Sequence, residues 1–205
     1  MLDRAASALL KPLLDTSARV IVRVGVGADA VTVIGFVVGL AAAASIALQQ
    51  PVLGLALMLA SRLADGLDGA VARLTVPTDR GAFLDITLDF LFYASVPLAF
   101  AIAEPDANAL PAAVLLAAFI GTGSSFLAFA ILAERRGLAS DAYPQKGIFY
   151  LGGLTEATET LLCFALMCVW PDKFAWWAYG FAVLCAMTIG TRIVGGAKVL
   201  SRYRG

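Results

Sequence analysis

Between Val31 and Gln49 the chain contains no charged residue, and blocks of similar length and apolarity recur almost to its C-terminus. A run of about 18 or more such residues is long enough to cross the hydrocarbon core of a bilayer as a helix. In lipid every backbone N–H and C=O must find its partner within the protein, and an unbroken apolar block achieves this as a helix. Of the 205 residues, 60% are hydrophobic and only 15% charged; soluble domains carry about a quarter charged. The blocks divide into six candidate spans at 31–49, 51–73, 81–104, 109–134, 148–170 and 174–199. Residues 1–25 instead mix Asp3, Arg4, Lys11, Asp15, Arg19 and Arg23 with apolar side chains, the pattern of a helix lying on a membrane surface. The expected fold is an all-α integral membrane protein, with six transmembrane helices plus an N-terminal amphipathic interfacial helix. It forms one membrane domain over 1–205, with the interfacial segment at 1–25 and the bundle at 26–199.

The separators orient this bundle. Gln49-Gln50-Pro51 and the turn at 104–108 hold no Lys or Arg, and 171–173 holds only Lys173. Arg73, Arg80, Arg135, Arg136, Lys146 and the basic residues of both termini fall on the opposite side. Basic loops stay cytoplasmic, so both termini, the 2–3 loop and the 4–5 loop are expected there. Trp170, Trp176, Trp177 and Tyr179 flank the last outer turn, as an interfacial aromatic belt does. Zero net charge gives no hint of nucleic-acid binding, and no nucleic-acid partner is expected. Cys163, Cys168 and Cys185 sit in apolar stretches without ligand spacing and read as small hydrophobes. The chain has no histidine, so acid–base or metal chemistry falls to carboxylates.

Those carboxylates are concentrated. Asp65 and Asp68 are i, i+3 on the second span, and Asp85 and Asp89 are i, i+4 on the third, so each pair shares a helix face. From the helical rise, Asp65 lies about 21 Å along its span from the outer end, and Asp85 and Asp89 about 6 and 12 Å from the cytosolic end of theirs. The pairs meet in the cytosolic half. Each acid costs roughly 2.5–3.5 kcal/mol near a bilayer centre. Proton sharing, ion pairing or divalent cations would offset this. Arg62 and Arg73 are too few to neutralise four acids, whereas two Mg²⁺ or Mn²⁺ ions suit an all-oxygen ligand set. Gly66 and Gly69 interrupt the same helix, each at up to about 1 kcal/mol relative to alanine. Either close helix packing or the approach of a bulky ligand would explain them.

The pattern Asp65-x-x-Asp68-Gly69-x-x-Ala72-Arg73, followed by Gly81-x-x-x-Asp85-x-x-x-Asp89, resembles the signature of the CDP-alcohol phosphatidyltransferases. The plan of an amphipathic segment and six spans is similar to theirs over nearly the whole chain. Two departures stand out. Seven residues, Leu74 to Arg80, separate Arg73 from Gly81, where the family usually has eight. In the stretch from Gly27 to Gly35, Ala28-Asp29 replaces the family's Pro-Asn while Thr32 remains. The segments GTGSSFLAFA and FYLGGLTEATET resemble a bacterial inner-membrane subfamily of unassigned acceptor.

The resemblance implies metal-dependent transfer of a phosphatidyl group from a CDP-alcohol, CDP-diacylglycerol above all, to a polar alcohol acceptor. CMP is released, in phospholipid synthesis. It implies Asp65, Asp68, Asp85 and Asp89 as metal ligands, with Asp89 also the base for the acceptor hydroxyl. Gly66, Gly69, Ala72, Arg73, Gly81 and Thr32 would form the nucleotide pocket. It further implies a homodimer in a bacterial-type inner membrane, with the active site facing the cytosolic leaflet. Glu156, Glu159, Arg192 and Lys146 are candidates for the acceptor pocket, the rival being an internal ion pair that braces the bundle. A proton- or ion-coupled transporter is the alternative function, since buried acids also serve as relays. Against it, the acids crowd one leaflet and no inverted repeat is visible. An aspartate-rich prenyltransferase or an inactive family member fits the motif less well.

Overall fold

The structure, a computed structural model, describes the backbone of residues 2–137 and 154–202 and the side chains of 11–137 and 154–201. Every regular element among the described residues is helical. In chain order they are α1 (Leu2–Arg23), α2 (Ala28–Ala47), α3 (Pro51–Leu74), α4 (Asp79–Ala103), α5 (Pro105–Arg135), α6 (Ala157–Val169) and α7 (Phe174–Arg202). A single 3-10 turn, Pro171–Lys173, leads into α7.

Local chemistry sets the breaks. Gln49 adopts a left-handed φ of 60° between α2 and α3, and Pro51 opens α3, where its missing N–H costs nothing. The Gln49 amide donates to the Ala103 carbonyl at 3.1 Å, tying the α2–α3 turn to the end of α4. Thr78 caps α4 by accepting from the Gly81 N–H at 3.0 Å.

Among the described residues, four stretches are long and apolar enough to cross a membrane: α2, α4, α5 and Pro171–Ser201. Of the six expected spans, the other two fall short among the described residues, for different reasons. At 24 residues α3 has the length, but Arg62, Asp65, Asp68 and Arg73 load its second half with charge. α6 is apolar but has 13 residues, and it begins at Ala157 rather than near 148. Large apolar side chains such as Val37, Ile102, Val183 and Ile193 are each more than half exposed. That surface is costly in water and costless in lipid, and the chain is a multi-pass membrane protein.

Packing brings α3 and α4 together around α2. A Cβ on Gly35 would stand 3.0 Å from Ala64 Cβ, and one on Gly39 would stand 2.6 Å from the Phe92 ring. Small residues therefore let the α2 backbone approach both neighbours closely. The Ser61 hydroxyl closes the seam by donating to the Gly35 carbonyl at 2.7 Å. Phe92, Phe164, Phe174, Met58 and Met167 are fully buried at the centre of the core. α1 lays its apolar side on α3, with Ala18 buried among Ala70, Val71 and Leu67. α5 joins α4 to α7, and α6 packs against α3, α1 and α7.

Candidate active site at the α3–α4 carboxylates

Both halves of the acidic motif lie on unbroken helix. α3 runs through Asp65 and Asp68 to Leu74, and α4 runs from Asp79 through Asp85 and Asp89. Only Thr75 to Thr78 are non-helical between them, so the shortened spacing is taken up in the loop and not in the helices. Asp65, Asp68 and Asp85 each bring a carboxylate oxygen to a common point, all within 4.8 Å of one another. Their burial is graded: Asp68 is 5% exposed, Asp65 is half-buried and Asp85 opens outward.

Asp89 is placed differently. It forms an ion pair with Arg62, whose Nη1 also stands 3.5 Å from Asp65 Oδ1. The guanidinium lies over the Phe92 ring at 4.0 Å and near that of Tyr93 at 5.7 Å. Counting charges along the sequence treated Arg62 as a minor contributor; across the helix pair it bridges two of the four acids.

Next to the cluster opens a cavity of about 580 Å³, within the range of small-molecule and nucleotide sites. Its walls are the start of α2 (Asp29, Thr32), the end of α3 (Asp68, Gly69, Ala72) and the start of α4 (Thr78, Gly81, Asp85). A far smaller space of about 10 Å³ lies among Thr32, Arg62, Asp65, Asp85 and Asp89, enough for about one water-sized occupant. Thr32 faces both spaces, and its hydroxyl donates to the Ala28 carbonyl at 3.1 Å.

The expected nucleotide positions therefore divide. Thr32, Gly69, Ala72 and Gly81 line the large cavity. At Gly81 a Cβ would meet Asp29 Oδ1 at 3.1 Å and Thr78 Oγ1 at 3.2 Å, so glycine keeps that wall thin. Gly66 is not on the cavity wall; a Cβ there would meet Leu14 of α1 at 3.2 Å, the signature of helix packing. Arg73 is exposed and reaches back over Gly69, its Nη1 3.3 Å from where that residue's Cβ would be. Asp29 was not singled out as a site residue from sequence. It lines the cavity and pairs with the exposed Arg80 at 3.4 Å, and the only signal was its replacement of the family's asparagine.

The expected acceptor residues do not converge on this cavity among the described residues. Glu156 stands at the N-cap of α6 and not about two turns inside a span that starts near 148, because the helix begins only after it. It and Glu159 form a capping box, with the Glu156 N–H donating to Glu159 Oε2 at 3.1 Å. Arg192, 8% exposed, donates to the Thr122 carbonyl at 3.1 Å and lies over Phe126 at 5.5 Å, bracing α7 against α5. Lys146 lies outside the described residues.

The carboxylate cluster fits a divalent cation. Opposed ligands of Mg²⁺ or Mn²⁺ stand about 4 Å apart, close to the observed spread, and the donors are all hard oxygens. Asp68 Oδ2 is buried with no hydrogen-bond partner among the described residues. A bound cation would satisfy that oxygen.

The family model for CDP-alcohol phosphatidyltransferases matches residues 26–189. The chain belongs to that family. Inner membrane protein YnjF of Escherichia coli is 50% identical over 200 residues, covering 98% of this chain and 97% of that protein. Archaetidylinositol phosphate synthase of Methanothermobacter thermautotrophicus is 49% identical over 70 residues, 34% of this chain and 36% of that one. The Mycobacterium tuberculosis phosphatidylinositol phosphate synthase PgsA1, solved with CDP-DAG bound, superposes with a TM-score of 0.67 at 23% identity, covering 90% of this chain and 94% of that one. The same enzyme, solved with manganese and citrate, gives a TM-score of 0.64, again at 23% identity, covering 89% of this chain and 88% of that one. At that identity the likeness speaks for the fold. Family membership makes the chain a phosphatidyltransferase of phospholipid synthesis and sets aside the transporter alternative.

Proposed function

We propose that this enzyme transfers the phosphatidyl group of CDP-diacylglycerol, or a related CDP-alcohol, to a hydroxyl of a polar polyol, releasing CMP. The observation that carries the reading is the convergence of Asp65, Asp68 and Asp85 beside a nucleotide-sized cavity whose wall includes Gly69, Ala72 and Gly81. The relatives named for inositol phosphate lipids support a polyol acceptor, phosphorylated or free.

Asp65, Asp68 and Asp85 hold divalent cations, Mg²⁺ or Mn²⁺, with Asp89 completing a two-ion site. Bound there, the ions neutralise the pyrophosphate and stabilise charge developing on the departing CMP. Asp89 receives the proton of the acceptor hydroxyl. The hydroxyl oxygen forms a bond to the lipid-bearing phosphorus, the bond from that phosphorus to CMP breaks, and CMP leaves with the electron pair. Gly69, Ala72 and Gly81 let the nucleotide lie against backbone, Thr32 and Asp29 face it from α2, and Arg73 supplies fixed positive charge at the mouth. We take the chain as a single domain over 1–205, a homodimer with six membrane-crossing segments and the interfacial segment 1–25. Both termini and the site face the cytoplasmic side of an inner membrane.

The test is CMP release from CDP-diacylglycerol by purified protein with Mg²⁺ or Mn²⁺. The acceptor panel comprises inositol 1-phosphate, inositol, glycerol 3-phosphate, glycerol and serine, with Asp89→Asn as control. Turnover with one polyol, lost in the control and without metal, is the expected result. Folded protein that neither turns over nor binds CDP-diacylglycerol in the presence of metal refutes the reading.

A further inference from the structure

The acids of this site are not equivalent, and the residue that distinguishes them lies outside the family signature. Arg62 sits one turn before Asp65 on α3, and its side chain is 11% exposed. Three helices fix it. Its Nη2 donates to Ser61 Oγ at 3.2 Å, and Ser61 in turn donates to the Gly35 carbonyl of α2. Its planar face stacks on Phe92 of α4 at 4.0 Å. Its Nη1 pairs with Asp89 of α4 and stands 3.5 Å from Asp65 of α3. Its Nε–H is buried without a partner among the described residues.

From this geometry we infer that Arg62 is a positioning residue: a built-in cation that bridges Asp89 to Asp65 and fixes Asp89 at the small space it lines with Asp65 and Asp85. The inference rests on the reading of Asp89 as the proton acceptor. It adds that divalent ions and Arg62 compete for the same carboxylates, so the first ion enters at the three-acid cluster, and Asp89, held by Arg62, takes part only in the second ion's site and in receiving the acceptor's proton. Lysine cannot reproduce the planar stack or the two-acid bridge, but it keeps the charge.

The experiment pairs two readouts on Arg62→Gln and Arg62→Lys in detergent-purified protein. The first is Mn²⁺ binding alone, followed by electron paramagnetic resonance without substrate. The second is the split of kcat from the KM for CDP-diacylglycerol. Losing a competing cation strengthens Mn²⁺ binding in Arg62→Gln by about tenfold, while loss of positioning lowers kcat by about 10- to 100-fold. The KM stays within about threefold, because the nucleotide wall is untouched. Arg62→Lys should recover part of kcat and keep the wild-type Mn²⁺ affinity. A purely structural arginine would instead weaken Mn²⁺ binding and kcat together; that result, or an unchanged kcat, overturns the inference. If Arg62→Gln does not fold, Arg62→Lys decides alone: lowered kcat at constant KM supports positioning, and unchanged kcat refutes it. Full activity in Asp89→Asn would overturn the reading of Asp89 itself, whereas an inactive Asp89→Asn beside a fully active Arg62→Gln overturns only the role of Arg62.

Discussion

Two polar regions sit in this apolar chain, and they handle their polar atoms in opposite ways. In the α5–α6–α7 half, polar groups satisfy one another. Thr188, fully buried, accepts from the Leu154 and Thr155 N–H groups at 3.2 and 3.3 Å and from the Thr155 hydroxyl at 3.0 Å. Glu156 and Glu159 cap α6 reciprocally, and Arg192 reaches the Thr122 carbonyl. Among the described residues, the Trp177 indole N–H is the buried side-chain atom left over on that side. In the α2–α3–α4 half, three carboxylates converge, and one buried oxygen, Asp68 Oδ2, has no hydrogen-bond partner among the described residues. A neutral N–H without a partner costs a little, whereas a crowded anion without one costs much more. The lesson is that polarity in a membrane span does not by itself mark a site. Unsatisfied charge beside a cavity does.

Several variants would sharpen or break that contrast. The largest effect belongs to Asp68→Asn, which should lower CMP release on the order of a thousandfold by removing a metal ligand. Its thermal unfolding in metal-free detergent should be no earlier than wild type, since one of several repelling charges has gone. Marked destabilisation would make Asp68 a structural residue. Chelation should likewise abolish CMP release and be reversed by Mn²⁺, with a rise in thermal midpoint on re-addition as the ion binds the folded state.

Thr188→Val strips acceptors from a buried hub and should cost about 1–3 kcal/mol of stability. CMP release per folded molecule should stay unchanged; a selective loss of turnover would move the second polar region into the active site. Gly39→Ala should cost about 1–3 kcal/mol through overpacking against Phe92 and Ser61, read by thermal unfolding. Because Phe92 carries the Arg62 stack, kcat should fall with it. Glu159→Ala should cost about 1 kcal/mol through the lost cap, with the KM for the acceptor constant. A raised acceptor KM would return Glu159 to the acceptor pocket. The smallest effect is expected for Arg80→Gln, whose pair with Asp29 is 79% exposed on the arginine side. Such pairs contribute about 0–1 kcal/mol.

What the sequence determined by itself was much of what depends on helical repeat. Apolar blocks announced helices, and i, i+3 and i, i+4 spacings put Asp65 with Asp68 and Asp85 with Asp89 on shared faces. The helical rise brought the pairs to one level, and the metal-site chemistry followed from an all-oxygen set without histidine. Tertiary structure decided what crosses between helices. Arg62 and Asp89 are 27 residues apart, and nothing in either helix's periodicity pairs them; the close approach of α2, α3 and α4 through Gly35 and Gly39 does. Gly66 faces Leu14 because α1 folds onto α3, a placement no spacing within α3 encodes. Glu156 and Glu159 lie at the start of α6 and not within a span that begins near 148. Their i, i+3 spacing fits a buried face and a capping box equally well, and only the observed start of α6 at Ala157 separates the two. Local periodicity is written residue by residue, while the partner of a charge depends on which backbones can approach.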